Sequence, residues 1–385
     1  MVKKWKLRNE TMSEEHPMRV LVTGAQGFIG KNLAVHLNEW SNTEVLSFTR
    51  GGSMDDLAVL VDQSDTIVHL AGENRPIDNA DFAIVNTDLT RILCEAIRAT
   101  GRNIPLILAS SIQAEQDNPY GQSKRVAEQV VEAFVTETGN HAVIFRLPGV
   151  FGKWCKPNYN SVVATFCHNI ARNLPVQIND PSAVLPLVYV DDVIDQFSHF
   201  LNSSKPGLQY GEVIPEYSIT LHDLAEQIYA FQNCRTTLMS ERVGAGLTRA
   251  LYSTYVSYLP PEQFVYDLPE YGDERGTFVE MLKTPDCGQF SLFTVHPGIT
   301  RGSHYHHSKS EKFLVVKGTV CMRFRHIVTG ETCEMTMSGN KPQVIDSIPG
   351  WAHDVTNIGD SEAIVMLWAN EVFDRERPDC INCQV

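Results

Sequence analysis

Five apolar runs, at residues 20–23, 45–49, 66–71, 106–111 and 143–146, are continuous rather than alternating and are rich in β-branched and aliphatic side chains. That pattern predicts parallel strands buried on both faces. Between them, residues 31–39, 80–100 and 122–138 repeat their apolar positions at a helical period. The alternation predicts a doubly wound α/β Rossmann sheet. After Pro260-Pro261 the texture changes to short strand-like runs separated by turn residues, at 289–296, 311–316, 320–326, 331–337, 343–348 and 362–370. This predicts an all-β domain, a sandwich or small barrel. The expected organisation is a disordered extension over 1–17, an α/β domain over 18–257, a connector over 258–265 and a β domain over 266–385.

Composition narrows the classes of function. A net charge of −14 over 385 residues argues against a nucleic-acid partner, because phosphate backbones need a basic face. A local pocket can still hold a nucleotide. No apolar run reaches the roughly 20 residues that a membrane-spanning helix needs. Residues 1–17 lack the apolar centre of a secretory signal, so Met18 is an alternative start. Nine cysteines without framework spacing fit a reducing, cytoplasmic setting. Cys380-x-x-Cys383 has redox or metal spacing, but as a tail pair it reads as two inert thiols.

Candidate chemistry begins at Gly24-x-x-Gly27-x-x-Gly30, which follows the first strand and opens a helix. Glycines there permit a tight turn and let the backbone approach a pyrophosphate at the helix N-terminus. At the end of the second strand stands Arg50, where a carboxylate would select NAD. An arginine favours the 2′-phosphate of NADP. Tyr120 and Lys124 lie one helical turn apart, so an ammonium can stabilise the phenolate. Ser111, at the end of the preceding strand, can hydrogen-bond the same reacting oxygen.

These residues resemble the extended short-chain dehydrogenase/reductases that handle nucleotide sugars. The resemblance rests on Thr23-Gly24-Ala25-Gln26-Gly27-Phe28-Ile29-Gly30, His69-Leu70-Ala71-Gly72, Ser110-Ser111, Pro119-Tyr120-Gly121-Gln122-Ser123-Lys124 and Arg146-Leu147-Pro148 through Gly152. It implies Tyr120 as acid–base, Lys124 orienting the nicotinamide ribose and Ser111 polarising the carbonyl. It also implies cofactor contacts from Gly24, Gln26, Gly27, Phe28, Ile29, Gly30, Leu70 and Ala71. The stretch from Ser111 to Tyr120 is shorter than the family's, and the usual Tyr after the Ser is missing. The family's dehydratases carry an Asp-Glu pair after this Ser; here Ile112-Gln113 follows, which argues against dehydration.

The second site lies in the β domain. His304 and His306 alternate on one strand face, Glu311 returns on the next strand, and Pro349-Gly350-x-x-His353 adds another imidazole. Three imidazoles and a carboxylate suit a divalent metal such as zinc, iron, nickel or manganese. This half resembles the cupins. Asp273 through Glu280 (Arg275 and Glu280 being substrate candidates) and Gly298 through Tyr305 also look like segments of the nucleotide-sugar 3,5-epimerases. In those, the counterpart of His304 is a base. Here His306, Glu311 and His353 complete a ligand shell around it, so the ligand role is preferred. Tyr305, His307 and Lys312 are then candidates for the base.

A 4-keto sugar would connect the two sites. Its C3 proton is acidified by the neighbouring ketone, and that acidity is lost once C4 is reduced. Epimerisation must therefore precede reduction. The whole chain resembles the bifunctional capsular-polysaccharide enzymes, in which a reductase is fused to a cupin in the UDP-N-acetyl-L-fucosamine pathway. Gln113 through Gly121, Phe151 through Ser161 and Leu251 through Pro260 carry this resemblance. It implies a UDP-sugar substrate, NADPH, zinc and a homodimer. Lys156, Asn158 and Asn160 would reach a diphosphate or acetamide. The alternative expectation is a monofunctional ketoreductase whose cupin is a metal-stabilised dimerisation module.

Overall fold

The computed structural model describes residues 16–75, 78, 82–202, 206–273, 276–279, 282, 289–371 and 376–385. Most of the expected extension over 1–17, together with Arg275 and Glu280, lies outside the described residues.

The first half is a parallel sheet. Strands β1 (Met18–Thr23), β2 (Thr43–Phe48), β3 (Thr66–His69), β4 (Leu106–Ser111), β5 (Ala142–Leu147) and β6 (Leu208–Gly211) run in the order β2-β1-β3-β4-β5-β6. Every neighbouring pair is parallel. Val20, Leu21, Val22, Ile67, Val68 and Ile107 are fully buried, as continuous apolar runs require when helices cover both faces. The order reverses at β1, so a crevice opens beyond the C-terminal ends of β1 and β3.

Helix α1 (Phe28–Asn38) leaves the glycine turn. The helical stretch expected over 80–100 divides. Residues Ala83–Asp88 form a π-helical segment, and α2 (Leu89–Thr100) follows. The wide turn carries Asn86, whose Oδ1 accepts from the Glu73 N–H while its Nδ2 donates to Ser123 Oγ. A local hydrogen-bond demand thus overrides the α period. The expected strand over 66–71 stops at His69, because the N–H groups of Leu70 and Ala71 turn toward Thr23 Oγ1. Helix α3 (Pro119–Thr138) begins with Asn118 capping the Gly121 N–H at 2.8 Å. The periodicity reading also left unassigned α4 (Val190–Leu201) and α5 (Gly246–Val256).

Among the described residues the second half holds, besides a two-stranded ribbon of Glu270–Asp273 with Gly276–Val279, two antiparallel five-stranded sheets. One carries β8 (Glu311–Lys317), and the other holds β7 (Thr300–Tyr305) beside β9 (Trp351–Asn357). Phe313, Phe324, Val355 and Trp368 fill the space between them. The segment 258–265 is packed rather than loose. Phe264 is fully buried, with its ring 5.6 Å from Phe324 and 5.3 Å from Trp351. One apolar cluster runs from Phe151 and Tyr255 through Phe264 to Trp368, so the halves share a core.

Candidate active site

The crevice is built by close backbone approach. A Cβ at Gly24, which has φ +69°, would stand 2.8 Å from the Ala71 nitrogen. At Gly30 it would stand 2.3 Å from the Gly24 carbonyl oxygen. Neither position tolerates a side chain. Gly27 starts α1 without a side-chain cap, so the first N–H groups of the helix remain open to an anion. Gln26 and Gly27 are exposed there, with Phe28 and Ile29 half-buried. Thr23 Oγ1 lies 2.6 Å from His69 Nδ1, whose other nitrogen meets Thr90 Oγ1 at 2.9 Å. These bonds hold the ends of β1 and β3 and bring Leu70 and Ala71 to the crevice wall.

Arg50 sits at its edge, exposed, with Nη2 2.7 Å from Glu73 Oε2. The Tyr159 hydroxyl donates to Glu73 Oε1 at 3.0 Å. Lys156, Asn158 and Asn160 are exposed on the same segment as Tyr159. The Lys156 ammonium lies 5.3 Å from the Tyr159 ring, and Asn158 adopts φ +54° with its N–H on Thr165 Oγ1.

Ser111, Tyr120 and Lys124 meet beyond β4. Burial pushes the Tyr120 phenol up, and the nearby Ser111 hydroxyl partly opposes this. Lys124 is buried, and its ammonium donates to the Ala109 carbonyl at 3.1 Å. Burial pushes that ammonium down to about 8. A Cβ on Gly72 would come within 3.2 Å of Lys124 Nζ, so the crevice runs directly from the glycine turn to this lysine. Gly121 lets α3 start against the turn Ile112–Glu115; a Cβ there would stand 2.1 Å from the Gln113 carbonyl oxygen. Ser110 faces the other way, its hydroxyl 2.5 Å from Glu128. Glu128 is buried and clamped by Arg146 at 2.7 Å. A glycine-lined crevice, an uncapped helix start and a buried lysine fit a nicotinamide dinucleotide.

The β domain gathers His304, His306, Glu311 and His353, whose donor atoms all lie within 4.8 Å of one another. Glu311 Oε2 is 3.1 Å from His306 Nε2 and 3.3 Å from His353 Nε2. The outer nitrogens are held as well, His306 Nδ1 at the Asp379 carbonyl and His353 Nδ1 at Ser347 Oγ, 2.8 Å away. Such outer bonds fix imidazole orientation in metal sites. A register shift between Gly302 and His304 bulges β7 and aims His304 at the cluster. Burial and the neighbouring His353 lower His304 to about 4, leaving a neutral ring with a lone pair. Three imidazoles, two of them buried, and a buried carboxylate are a donor set that fits a divalent metal.

Tyr305, His307 and Lys312 do not join this cluster. Tyr305 and His307 bond Glu39 of the α/β domain, and Lys312 is buried in a pair with Asp346 at 2.6 Å. Tyr305 closes β7 and His307 lies two residues beyond it, and both side chains turn to Glu39 instead of the His304–His306–Glu311–His353 group. Sequence reasoning missed Lys309, whose ammonium lies 3.2 Å from Glu311 Oε1. It also missed Asp379, whose carboxylate accepts from the backbone N–H of His307, Ser308 and Lys309. Neither position has a spacing that marks it.

Residues 20–214 match a family model described as NAD dependent epimerase/dehydratase family. Residues 271–381 match one described as polysaccharide biosynthesis C-terminal domain. UDP-2-acetamido-2,6-beta-L-arabino-hexul-4-ose reductase of Pseudomonas aeruginosa is 55% identical over 368 residues, 96% of this chain and 99% of that protein. The crystal structure of capsular polysaccharide assembling protein CapF from Staphylococcus aureus is similar, with 38% identity and TM-score 0.63 over 96% of this chain and 100% of that one. A structure of CapF with the inhibitor 3-isopropenyl-tropolone shows 36% identity and TM-score 0.60 over the same shares.

Proposed function

The chain belongs to the NAD dependent epimerase/dehydratase family and carries a polysaccharide biosynthesis C-terminal domain, and from that premise we propose a bifunctional nucleotide-sugar enzyme. In this reading the β domain epimerises C3 of a UDP-2-acetamido-2,6-dideoxy-hex-4-ulose. The α/β domain then reduces C4, giving UDP-N-acetyl-6-deoxy-L-talosamine for capsule or O-antigen synthesis. The enzyme works in the cytoplasm as a homodimer. The Pseudomonas relative, named as a reductase of a UDP-linked hexul-4-ose, supports the reductive step.

The observation that carries the reading is the Ser111–Tyr120–Lys124 group at the end of a glycine-lined crevice. NADPH, when bound, supplies the hydride to C4. Tyr120 donates its phenolic proton to O4 as the alkoxide develops, Ser111 bonds the same oxygen, and the Lys124 ammonium stabilises the phenolate left behind. Arg50 meets the 2′-phosphate at the crevice edge. Lys156, Asn158 and Asn160 face the diphosphate or acetamide.

Loss of the C3 proton beside a C4 ketone leaves an enolate. A divalent ion held by His304, His306, Glu311 and His353, zinc in this reading, supplies stabilisation of that negative charge when bound. Lys309 adds a cation beside Glu311.

The test is NMR of the 4-keto substrate incubated with the full-length enzyme in D₂O without NADPH. The C3 hydrogen should exchange, and Tyr120→Phe should keep this exchange while losing NADPH oxidation. Reduction without exchange would leave a monofunctional reductase whose β domain is a metal-stabilised dimerisation module.

A further inference from the structure

A second group of metal-binding side chains lies where the two domains meet, outside both sites described above. His36 of α1, Asp191 of α4 and His307 of the β domain bring their donor atoms within 4.8 Å of one another. The two imidazole rings stack with centroids 3.9 Å apart. His36 Nδ1, Asp191 Oδ2 and His307 Nδ1 are all buried without a hydrogen-bond partner. The Tyr189 hydroxyl, also buried and unpaired, borders the same carboxylate.

The surrounding bonds take the outer atoms of two of the three side chains. Lys153 takes Asp191 Oδ1 at 2.6 Å and leaves Oδ2. Glu39 Oε1 takes His307 Nε2 at 2.7 Å. A carboxylate only accepts, so Nε2 carries a ring hydrogen and Nδ1 is the atom left for an inward ligand. Metal-binding histidines carry this carboxylate contact on their outer nitrogen. Burial, then the neighbouring His307, lowers His36 to about 4, so its ring is neutral. His307 is only 8% exposed. Polar atoms left unpaired in a buried space cost free energy, and a cation joining Asp191 Oδ2 to the two imidazoles would remove that cost. A cleft of about 580 Å³ lies next to this corner and shares Glu39, the partner of His307, in its lining.

We propose that His36, Asp191 and His307 hold a second divalent cation of the zinc–cobalt class, which clasps the first helix of the nucleotide domain to the β domain. Two imidazoles and one carboxylate are a sufficient protein shell for such an ion, with the remaining position open to water.

The test uses the full-length protein stripped by chelator, reloaded with Co²⁺ and desalted, with cobalt counted by mass spectrometry. Wild type should retain roughly two equivalents per chain and His36→Asn about one, with NADPH-dependent reduction unchanged in the variant. His353→Ala should also drop by one, and the double variant should hold none. Should His36→Asn not fold, Asp191→Asn must show the same loss. In His353→Ala protein, Zn²⁺ should raise the melting temperature, and adding His36→Asn should abolish that rise. An identical cobalt count in wild type and His36→Asn overturns the proposal. A failure of the barrel site appears separately, as a His353→Ala count equal to wild type.

Discussion

Lys124 holds its ammonium 5.9 Å from the ring centre of Tyr120, with the Ala109 carbonyl as a hydrogen-bond acceptor at 3.1 Å. Burial lowers this lysine from 10.5 to about 8 and keeps the phenol protonated at neutral pH, the form the proposed reduction needs as proton donor. Reductase kcat should therefore fall as pH rises through about 8. Stability should move the other way. Between the folded pKa near 8 and the ordinary value of 10.5 the unfolded chain binds more protons, so folding free energy improves with pH across that window. Parallel pH series of turnover and urea denaturation check the opposing slopes. Lys124→Met should flatten both.

Ser110 and Ser111 are adjacent in sequence and opposite in duty. Ser111→Ala removes the hydroxyl beside the Tyr120 phenol, proposed to bond the reacting oxygen, and should lower kcat by about 10²-fold or more with little change in stability. Ser110→Ala leaves the buried Glu128 carboxylate one donor short and should cost about 1–3 kcal/mol of stability with kcat nearly intact. Denaturation curves beside steady-state kinetics separate the two. Equal kinetic losses would remove the distinction.

The sequence made these groups legible to different degrees. Gly24 and Gly30 were readable because no other residue fits against the backbone there, and Tyr120 and Lys124 because a helical turn brings them together. His304 and His306 follow from strand alternation, and Glu311 from the return of the next strand. What separates Ser110 from Ser111 is the Glu128–Arg146 pair, which joins residues far apart in the chain. Lys312 has the chemistry of a base, but its pairing with Asp346, 34 residues away in the chain, is not marked by any local pattern. The interdomain contacts of His307 depend on how a strand end of one domain meets a helix of the other, which no local pattern encodes.

Arg50 is exposed and paired with Glu73, so its cost to folding is small and its replacement should act on the cofactor. Arg50→Glu should weaken NADPH by about tenfold to a hundredfold and leave NADH within a fewfold, since a charge-assisted bond is worth about 1.5–3 kcal/mol. Fluorescence titration of each cofactor measures this. Identical NADPH affinities in the two proteins would dissociate Arg50 from cofactor choice.

Asp379 is the residue outside the His304–His306–Glu311–His353 group whose removal should disturb that proposed metal site most. Its carboxylate collects the N–H groups of His307, Ser308 and Lys309 at 2.7–2.8 Å, and its carbonyl meets His306 Nδ1. The carboxyl lies well below its ordinary value of 3.8; burial opposes this, and the neighbouring His306 together with the backbone donors overcome it. Because the folded pKa is the lower one, the contribution to stability is complete above 3.8 and is lost as pH falls below it. Asp379→Ala frees three backbone donors and lets the strap carrying His306 shift, which should weaken metal affinity by about 10–100-fold. Asp379→Asn keeps an acceptor oxygen and should lose less. Chelator competition on wild type and both variants gives the order. Metal affinities that do not change would mean that the strap is held by Arg249 and Ser253 at Ser308 instead.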